Sequence, residues 1–287
     1  MKEFIAEGRT CTVAFCCSCL KVSRSAYYSW LKQPQSQRER RNEELCSKIQ
    51  EIYDADTTKG YRRICDDLTA AGEEINAKRV LRLCRHLQCF SVIKSRHNCC
   101  TKPAVDPAYI AENILHREFH AEKPNQKWVT DVTEFKWYEG PVIHKIYLSA
   151  ILDLCDRRIV SYVISDHNDN PLVFDTLDKA MEANPGASPL FHSDRGFQYT
   201  NRVFHQKLED LGMKQSMSRV GRCIDNGPME GFWGILKRER YYTRKFSSRE
   251  DLVSMIEEYI DYYNNQRLQH NLGIMTPMKK HESLLAA

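Results

Sequence analysis

The sequence lacks any long run of apolar residues. The stretch from Thr10 to Leu20 is too short to cross a bilayer. Acidic Glu3 and Glu7 precede it and no small-residue cleavage site follows, so the pattern argues against a secretory signal peptide. Internal repeats and low-complexity tracts are also absent. With 42% hydrophobic and 28% charged residues, the 287-residue chain has the composition of a globular protein with a core.

The cysteines lack the spacing of a disulfide framework or a zinc site. There are 12 of them, yet no Cys-x-x-Cys pair faces a second such pair or a spaced pair of histidines. Cysteines and histidines cluster between Cys84 and Cys100, but not with the ligand spacing of a zinc module. We therefore expect free thiols in a reducing cytoplasm.

The chain also lacks a strong net charge, because 42 Lys and Arg are set against 38 Asp and Glu. The distribution is uneven: residues 75–105 contain no acidic residue. Their basic residues are Lys78, Arg79, Arg82, Arg85, Lys94, Arg96 and Lys102. Such a stripe is typical of a surface that binds a phosphate backbone, although a solvated helix face has the same composition.

The first hundred residues have helical periodicity. Ser23 is predicted to be an N-cap between two short helices, in a helix-turn-helix pattern within residues 1–35. Residues 32–42 have no apolar periodicity and indicate a linker or arm. Helical spacing over 44–53, 61–71 and 76–87 predicts a helical DNA-binding domain over residues 43–100, followed by a proline-containing connection over 101–126.

On the last of these helices, Lys78, Arg82 and Arg85 fall at i, i+4 and i+7, while Val80 and Leu83 belong to a separate apolar stripe. One face can therefore pack while the other meets DNA.

From Lys127 the period changes to that of strands. Three β-like runs over 128–135, 145–152 and 159–164 predict an antiparallel meander. After it we expect a helix over 171–182 and a strand over 189–192, and then a helix over 201–211 and a strand over 214–218. Asp225 or Asn226 is expected to cap the next helix, and a capping box over Ser247–Glu250 opens a long helix reaching about Gln266. Residues 127–287 are thus predicted to form a second, α/β domain.

Three acidic residues carry the most information: Asp131 in Lys-Trp-Val-Thr-Asp, Asp194 in Phe-His-Ser-Asp-Arg-Gly, and Glu230 in Asp-Asn-Gly-Pro-Met-Glu. Asp131 lies on the first predicted strand, Asp194 follows the fourth, and Glu230 lies in the first turn of a helix. Between Asp194 and Glu230 stand 35 residues, and Lys237 follows Glu230 at i+7. Carboxylates brought together repel unless they share a divalent cation, so the set predicts a site for Mg²⁺ or Mn²⁺.

This set resembles the DDE transposases and retroviral integrases and, more narrowly, the OrfB transposase of the insertion-sequence-three family. The similarity covers most of the chain, including Gly60-Tyr61-Arg62-Arg63-Ile64, residues 76–83, and Tyr263-Asn264-Asn265-Gln266-Arg267 with His270, Leu272, Thr276 and Pro277. It implies a ribonuclease H-like α/β fold with a five-stranded mixed sheet, preceded by an all-α helix-turn-helix region. Asp131 and Asp194 would then be neighbours at the centre of the sheet.

The resemblance implies metal-dependent cleavage and strand transfer of insertion-sequence ends. Two ions about 3.5 to 4 Å apart would activate the nucleophile and stabilise the leaving oxygen. Asp131 would bridge both ions, Asp194 would complete one site and Glu230 the other. Lys237 is implied to face the DNA backbone, and Arg195, Lys78, Arg79, Arg82 and Arg85 are further candidate DNA contacts; an ordinary surface position is the alternative for each.

The expected partners are the terminal inverted repeats of the element and target DNA, bound by a homo-oligomer. The family's full transposase usually joins an upstream reading frame with a leucine zipper to this part, and no sustained heptad pattern is visible here. Two alternatives stay open: a nuclease of the same fold without joining activity, and a non-catalytic DNA-binding protein derived from a mobile element.

Overall fold

The computed structural model describes residues 12–32, 35–93, 109–219 and 223–286. Helices make up the part of the chain before residue 93, and a five-stranded sheet with flanking helices follows. None of the helices within the described ranges is long and apolar enough to span a membrane.

Five helices precede the sheet in the described residues. Ser23 Oγ accepts a hydrogen bond from Ala26 N at 3.1 Å, which confirms Ser23 as the predicted N-cap. The last three helices pack around a core that includes Leu45, Ile64 and Leu83. The helices are α1 (Val13–Cys19), α2 (Arg24–Lys32), α3 (Gln37–Ala55), α4 (Tyr61–Ala70) and α5 (Ala77–His86).

The prediction of a linker or arm over residues 32–42 is wrong for residues 37–42, because helix α3 already begins at Gln37. Ser36 and Glu39 form a capping box, in which Ser36 N donates to Glu39 Oε2 at 2.8 Å and Glu39 N donates to Ser36 Oγ at 3.2 Å. Arg41 then forms ion pairs with Glu44 and Glu73. Capping and ion pairs stabilise this first turn without an apolar stripe, so the periodicity of the sequence gave no signal.

The sheet has the order β3-β2-β1-β4-β5. Strands β1 (Lys127–Glu139), β2 (Val142–Asp153) and β3 (Ile159–Ser165) form an antiparallel meander, and β4 (Leu190–Ser193) and β5 (Lys214–Met217) add in parallel beside β1. The β1–β2 hairpin is longer than predicted and turns at Gly140, whose φ of 58° lies in the left-handed region that favours glycine. The predicted α/β class and mixed sheet are confirmed.

Two cores lie on the two faces of the sheet, because successive side chains of a strand point to opposite faces. Val129 packs with helices α8 (Gly227–Glu239) and α9 (Arg249–Asn265), whereas Trp128 packs with α6 (Asn170–Ala183) and α7 (Arg202–Asp210). A last helix, α10 (Pro277–Leu285), packs on α9.

The starts of α8 and α9 differ in detail from the predictions. Asn226 occupies the N-cap position of α8, but its Nδ2 donates to the carbonyl oxygen of Thr130 at 2.9 Å instead of its side chain capping the helix. Helix α9 is capped by Ser248, whose Oγ accepts from Asp251 N at 3.2 Å, so the cap lies one residue later than the predicted box. The Thr130 contact ties the start of α8 to the central strand.

Candidate active site

Asp131 and Asp194 stand side by side in the fold. Strands β1 and β4 are parallel neighbours, and Val129 pairs with His192. Asp131 and Asp194 each lie two residues further along, so the two carboxylates stand at the same level, just beyond the end of β4. Glu230 joins them from the first turn of α8.

The three carboxylates share one electrostatic environment. Burial and the charge of Asp194 raise the pKa of Asp131 to about 8, with a further contribution from Glu230. Burial also raises the pKa of Asp194. Burial and the charge of Asp194 raise the pKa of Glu230. The sequence-predicted acidic residues therefore meet, and their negative charges oppose one another's ionisation.

The donor set suits a hard divalent cation, because carboxylate oxygens are the ligands that Mg²⁺ and Mn²⁺ prefer. Asp131 Oδ1 accepts from Val132 N at 2.8 Å, and Asp194 Oδ1 accepts from Gly196 N at 2.8 Å. A Cβ at position 196 would stand 3.0 Å from that Asp194 oxygen, so glycine permits the close approach. Across the described residues, no three His, Cys, Asp or Glu side chains are already arranged as a metal-binding group.

Lys237 lies on the same helix as Glu230 but is held against the sheet. Its Nζ donates to Thr133 Oγ1 at 2.6 Å and lies 5.0 Å from the centre of the Phe135 ring. Burial lowers the pKa of Lys237, while the charges of Asp131 and Glu134 oppose that change. The ammonium group therefore lies beside the strand that carries Asp131.

Arg195 and His192 flank Asp194 in the sequence. Arg195 is half-buried, and its Nε donates to the carbonyl oxygen of Ser218 at 2.8 Å. His192 is fully buried between the hydroxyls of Ser216 and Ser218, and burial lowers its pKa to about 4. His192 therefore packs in the domain and forms hydrogen bonds, and its ring is neutral near pH 7.

Sequence reasoning missed two contributors to the site. Trp233 is buried in the core, but its Nε1 also donates to Asp131 Oδ2 at 3.1 Å. Asp225, predicted only as a possible helix cap, is fully buried and binds Arg219, Arg117 and Asn113. These contacts fix the segment before Glu230. For Trp233, the only signal in the sequence was its position three residues after Glu230. No signal in the sequence pointed to the role of Asp225.

The basic stripe divides into two kinds of residue. Lys78, Arg82 and Arg85 are exposed on α5, as the periodicity predicted. Arg79 instead donates to Asn42 Oδ1 at 2.8 Å and so holds α3. An open groove of about 470 Å³ is lined by Arg38, Asn76, Lys78, Arg79 and Arg82. Lys94, Arg96 and Lys102 lie outside the described residues.

The cysteines of the helical domain support the expectation of free thiols. Cys46, Cys65, Cys84 and Cys89 are reduced and lie in or beside its core. Burial raises the pKa of Cys84 to about 11, which keeps it protonated near neutral pH. The rest of the predicted cysteine and histidine cluster, from His97 to Cys100, lies outside the described residues.

Comparison with known proteins agrees with this architecture. Residues 121–223 and 230–283 match two integrase core domain families, and residues 39–97 match an HTH-like domain family. The putative transposase InsK of insertion sequence IS150 from Escherichia coli is 38% identical over 261 residues, which cover 90% of this chain and 89% of the relative. This chain belongs to the insertion-sequence transposases.

Two further relatives match this transposase over a similar share of its length. The uncharacterized 31 kDa protein of insertion element IS600 from Shigella sonnei is 34% identical and covers 91% of this chain and 95% of its own. Transposase InsF of IS3A from Escherichia coli is 29% identical, with 91% of each chain covered. The HTLV-2 integrase catalytic core domain in complex with magnesium covers 55% of this chain and 97% of its own, at 19% identity and a TM-score of 0.43.

Family membership decides between the alternatives left open by the sequence. The transposase is an OrfB-type member of the insertion-sequence-three family and a DDE-type polynucleotidyl transferase, which acts in DNA transposition. Its HTH-like domain and integrase core are DNA-binding modules, and enzymes of this family use divalent metal ions. The non-catalytic protein and the nuclease without joining activity are therefore disfavoured.

Proposed function

We propose that Asp131, Asp194 and Glu230 are the catalytic residues, that they hold two Mg²⁺ or Mn²⁺ ions, and that the transposase uses them to cut its element's ends and join them to target DNA. One observation carries the proposal. Three acidic side chains from distant segments meet just beyond the end of β4, and the charge of Asp194 raises the pKa of both Asp131 and Glu230. Such mutual repulsion is relieved when the carboxylates share divalent cations.

Each side chain has a distinct part. Asp131 would be shared by both ions, Asp194 would complete one site and Glu230 the other. When bound, the ions supply Lewis-acid activation of the phosphate and of the attacking oxygen. Trp233 orients Asp131 through its N–H, and Thr133 orients the ammonium group of Lys237 toward the strand beside the site.

The DNA contacts proposed outside the carboxylates fall into two groups. Lys78, Arg82 and Arg85 bind phosphates along α5, and Arg79 lines the groove beside Lys78 and Arg82 while holding α3. Lys237 and Arg195, which flank the carboxylates, contact the DNA backbone near the reacting phosphate. The first group positions the duplex and the second aligns the phosphate for transfer.

We place an N-terminal helical segment at residues 1–35, a DNA-binding domain at 43–100 extended by the start of α3, a connection at 101–126 and the catalytic domain at 127–287. The transposase acts as a homo-oligomer on the terminal inverted repeats and target DNA, in the cytoplasm with the nucleoid. An upstream-frame product assists as a partner or fusion.

A joining assay with labelled pre-cleaved ends, a second duplex and Mg²⁺ tests the catalytic assignment. Asp131→Asn, Asp194→Asn and Glu230→Gln should each abolish joining while DNA affinity is retained. Glu139→Gln is the matched control, because Glu139 lies on the same strand as Asp131 but is 71% exposed and pairs with His144. Joining by any of the three amide variants would remove that residue from the site, and hydrolysis without joining would favour a nuclease.

A further inference from the structure

The far end of helix α8 carries a buried carboxylate. Glu239 is 4% exposed and lies nine residues after Glu230, about 13 Å along the helix axis. Within the catalytic domain it accepts hydrogen bonds from Arg267 Nη2 at 2.9 Å and Tyr259 OH at 2.9 Å. One end of α8 thus belongs to the candidate active site and the other to an internal polar network.

A residue of the DNA-binding domain enters this network. Arg63, on helix α4, donates from Nη1 to Glu239 Oε1 at 2.9 Å and from Nη2 to Tyr262 OH at 2.8 Å. Its guanidinium group is also 3.6 Å from Asp56, which itself lies 3.8 Å from Arg240 of the catalytic domain. The charged contacts therefore bring the helical domain to the C-terminal end of α8.

A second contact repeats this arrangement one turn further along α4. Asp66 Oδ1 lies 3.0 Å from His270 Nδ1 of the catalytic domain. Positions i and i+3 of a helix share a face, so Arg63 and Asp66 present one docking face to the catalytic domain. Two separate side chains of α4 thus hold the domains together.

Arg63 is not required to keep Glu239 charged. Burial raises the pKa of Glu239, but the hydrogen bonds and charge of Arg267, with the charge of Arg63 in addition, bring it below its usual value. Arg267 and Tyr259 would remain if Arg63 were removed, so the buried carboxylate would keep partners from its own domain. Arg63 therefore serves the contact between the two domains and not the charge state of Glu239.

We propose that Arg63 is a positioning residue that joins the DNA-binding domain to the helix carrying Glu230, so that a DNA end held by α5 reaches the carboxylates in one orientation. Helices α4 and α5 share a core through Ile64, Leu68, Val80 and Leu83, which makes the link from α5 to α8 continuous. The inference rests on the proposed function of Glu230. Arg63 acts through the placement of the DNA end and contacts neither the DNA nor the metal.

Arg63→Ala should lower kcat for joining a pre-cleaved end by about 10- to 100-fold, the effect expected of a small misplacement of the reacting groups. The dissociation constant for end DNA should change by less than about twofold, because Arg63 binds protein instead of phosphate. Arg62→Ala is the matched control: Arg62 is an exposed neighbour of equal charge that contacts Tyr61 of its own domain. It should leave kcat unchanged.

Two more variants separate positioning from folding. Tyr262→Phe removes one acceptor of Arg63 from the catalytic side and should lower kcat in the same direction but less. Arg63→Lys, which keeps the charge, should restore part of the activity lost in Arg63→Ala. Equal kcat values for Arg63→Ala and wild type, or a loss of DNA affinity that accounts for the whole defect, would overturn the inference.

Hydrogen exchange provides a readout that does not depend on activity. In Arg63→Ala, amides of α4 and of the C-terminal end of α8 should exchange faster than in the wild type, while those of β1 and β4 keep their protection. Unchanged exchange in both α4 and the C-terminal end of α8 would refute the proposed contact between the domains, even if the transposase joins DNA. If the wild type does not join DNA but exchange is faster in Arg63→Ala, the proposed function is contradicted. The contact of Arg63 between the domains is still supported in that case.

Discussion

The indole N–H of Trp233 donates a hydrogen bond to Oδ2 of Asp131 at a distance of 3.1 Å. This bond joins helix α8 to strand β1 at the level of the carboxylates. Glu230 lies three residues before Trp233 on the same helix, so fixing the indole also fixes the approach of Glu230 to Asp131. The same side chain packs in the core, where it is 6% exposed. Core packing and site geometry therefore depend on one residue.

Trp233→Phe should keep most of the apolar contact but remove the donor. A hydrogen bond to the ionised carboxylate lowers the pKa of Asp131, so its loss should raise that pKa and shift the pH profile of joining to higher pH. At neutral pH we expect a fall of about tenfold, the equivalent of roughly 1.4 kcal/mol. Trp128→Phe is the control, since Trp128 donates to Asp153 at 3.3 Å in another part of the domain. Identical profiles for the two variants would contradict the role of Trp233.

The stability of the metal-free transposase should fall as pH rises from about 4 to 8. Burial raises the pKa of Asp131 to about 8 in the folded chain, above its value of 3.8 when unperturbed. In that interval the folded state binds more protons than the unfolded state, so the free energy of unfolding decreases by up to roughly 1.4 kcal/mol per pH unit for one proton. Urea unfolding at several pH values in a chelator measures the slope.

Two additions make the pH experiment specific. Asp131→Asn should flatten the slope, because the amide does not titrate. Saturating Mg²⁺ should raise stability most at the high end of the interval, where the carboxylates are ionised in the complex. If Asp131→Asn shows the same slope of the free energy of unfolding against pH, the slope arises from another titrating group.

Lys237→Ala should reduce joining by about 10- to 100-fold if its ammonium group aligns the terminal phosphates. Thr133→Val removes the acceptor that holds Lys237 at 2.6 Å and should cause a smaller loss, because the charge remains. Arg238→Ala, on the next position of the same helix, is the control for loss of a positive charge. Wild-type joining by Lys237→Ala would make this lysine a structural partner of β1.

Replacing Arg82 and Arg85 together with Gln should weaken DNA binding and reduce the slope of log K against log salt concentration by about 0.9 for each lost phosphate contact. Both side chains are exposed on α5. The matched control is Arg41→Gln with Lys48→Gln, because both of these α3 residues are already paired with Glu73. Fluorescence anisotropy at several salt concentrations gives the slope, and an unchanged value would place the DNA on another surface.

Much of the architecture follows from local patterns in the sequence. Asn76 before a run with helical spacing predicted α5, and Asn76 Oδ1 does accept from Lys78 N at 2.8 Å. The change from helical to strand periodicity at Lys127 marks the first residue of β1. These features are decided by neighbours a few residues apart, so the sequence by itself determined them. It also determined the family, because the acidic motifs and their spacing are present in the chain itself.

The contacts that give the site its chemistry were decided by tertiary structure. Trp233 and Asp131, Lys237 and Thr133, and Arg63 and Glu239 are each more than a hundred residues apart, and no local pattern specifies how their segments cross. The high pKa of Asp131 likewise arises from burial and from charges brought by two other segments. Even the start of α3 depends partly on Glu73, 32 residues beyond Arg41, so an ion pair formed only in the folded chain supports the N-terminal turns that periodicity did not predict.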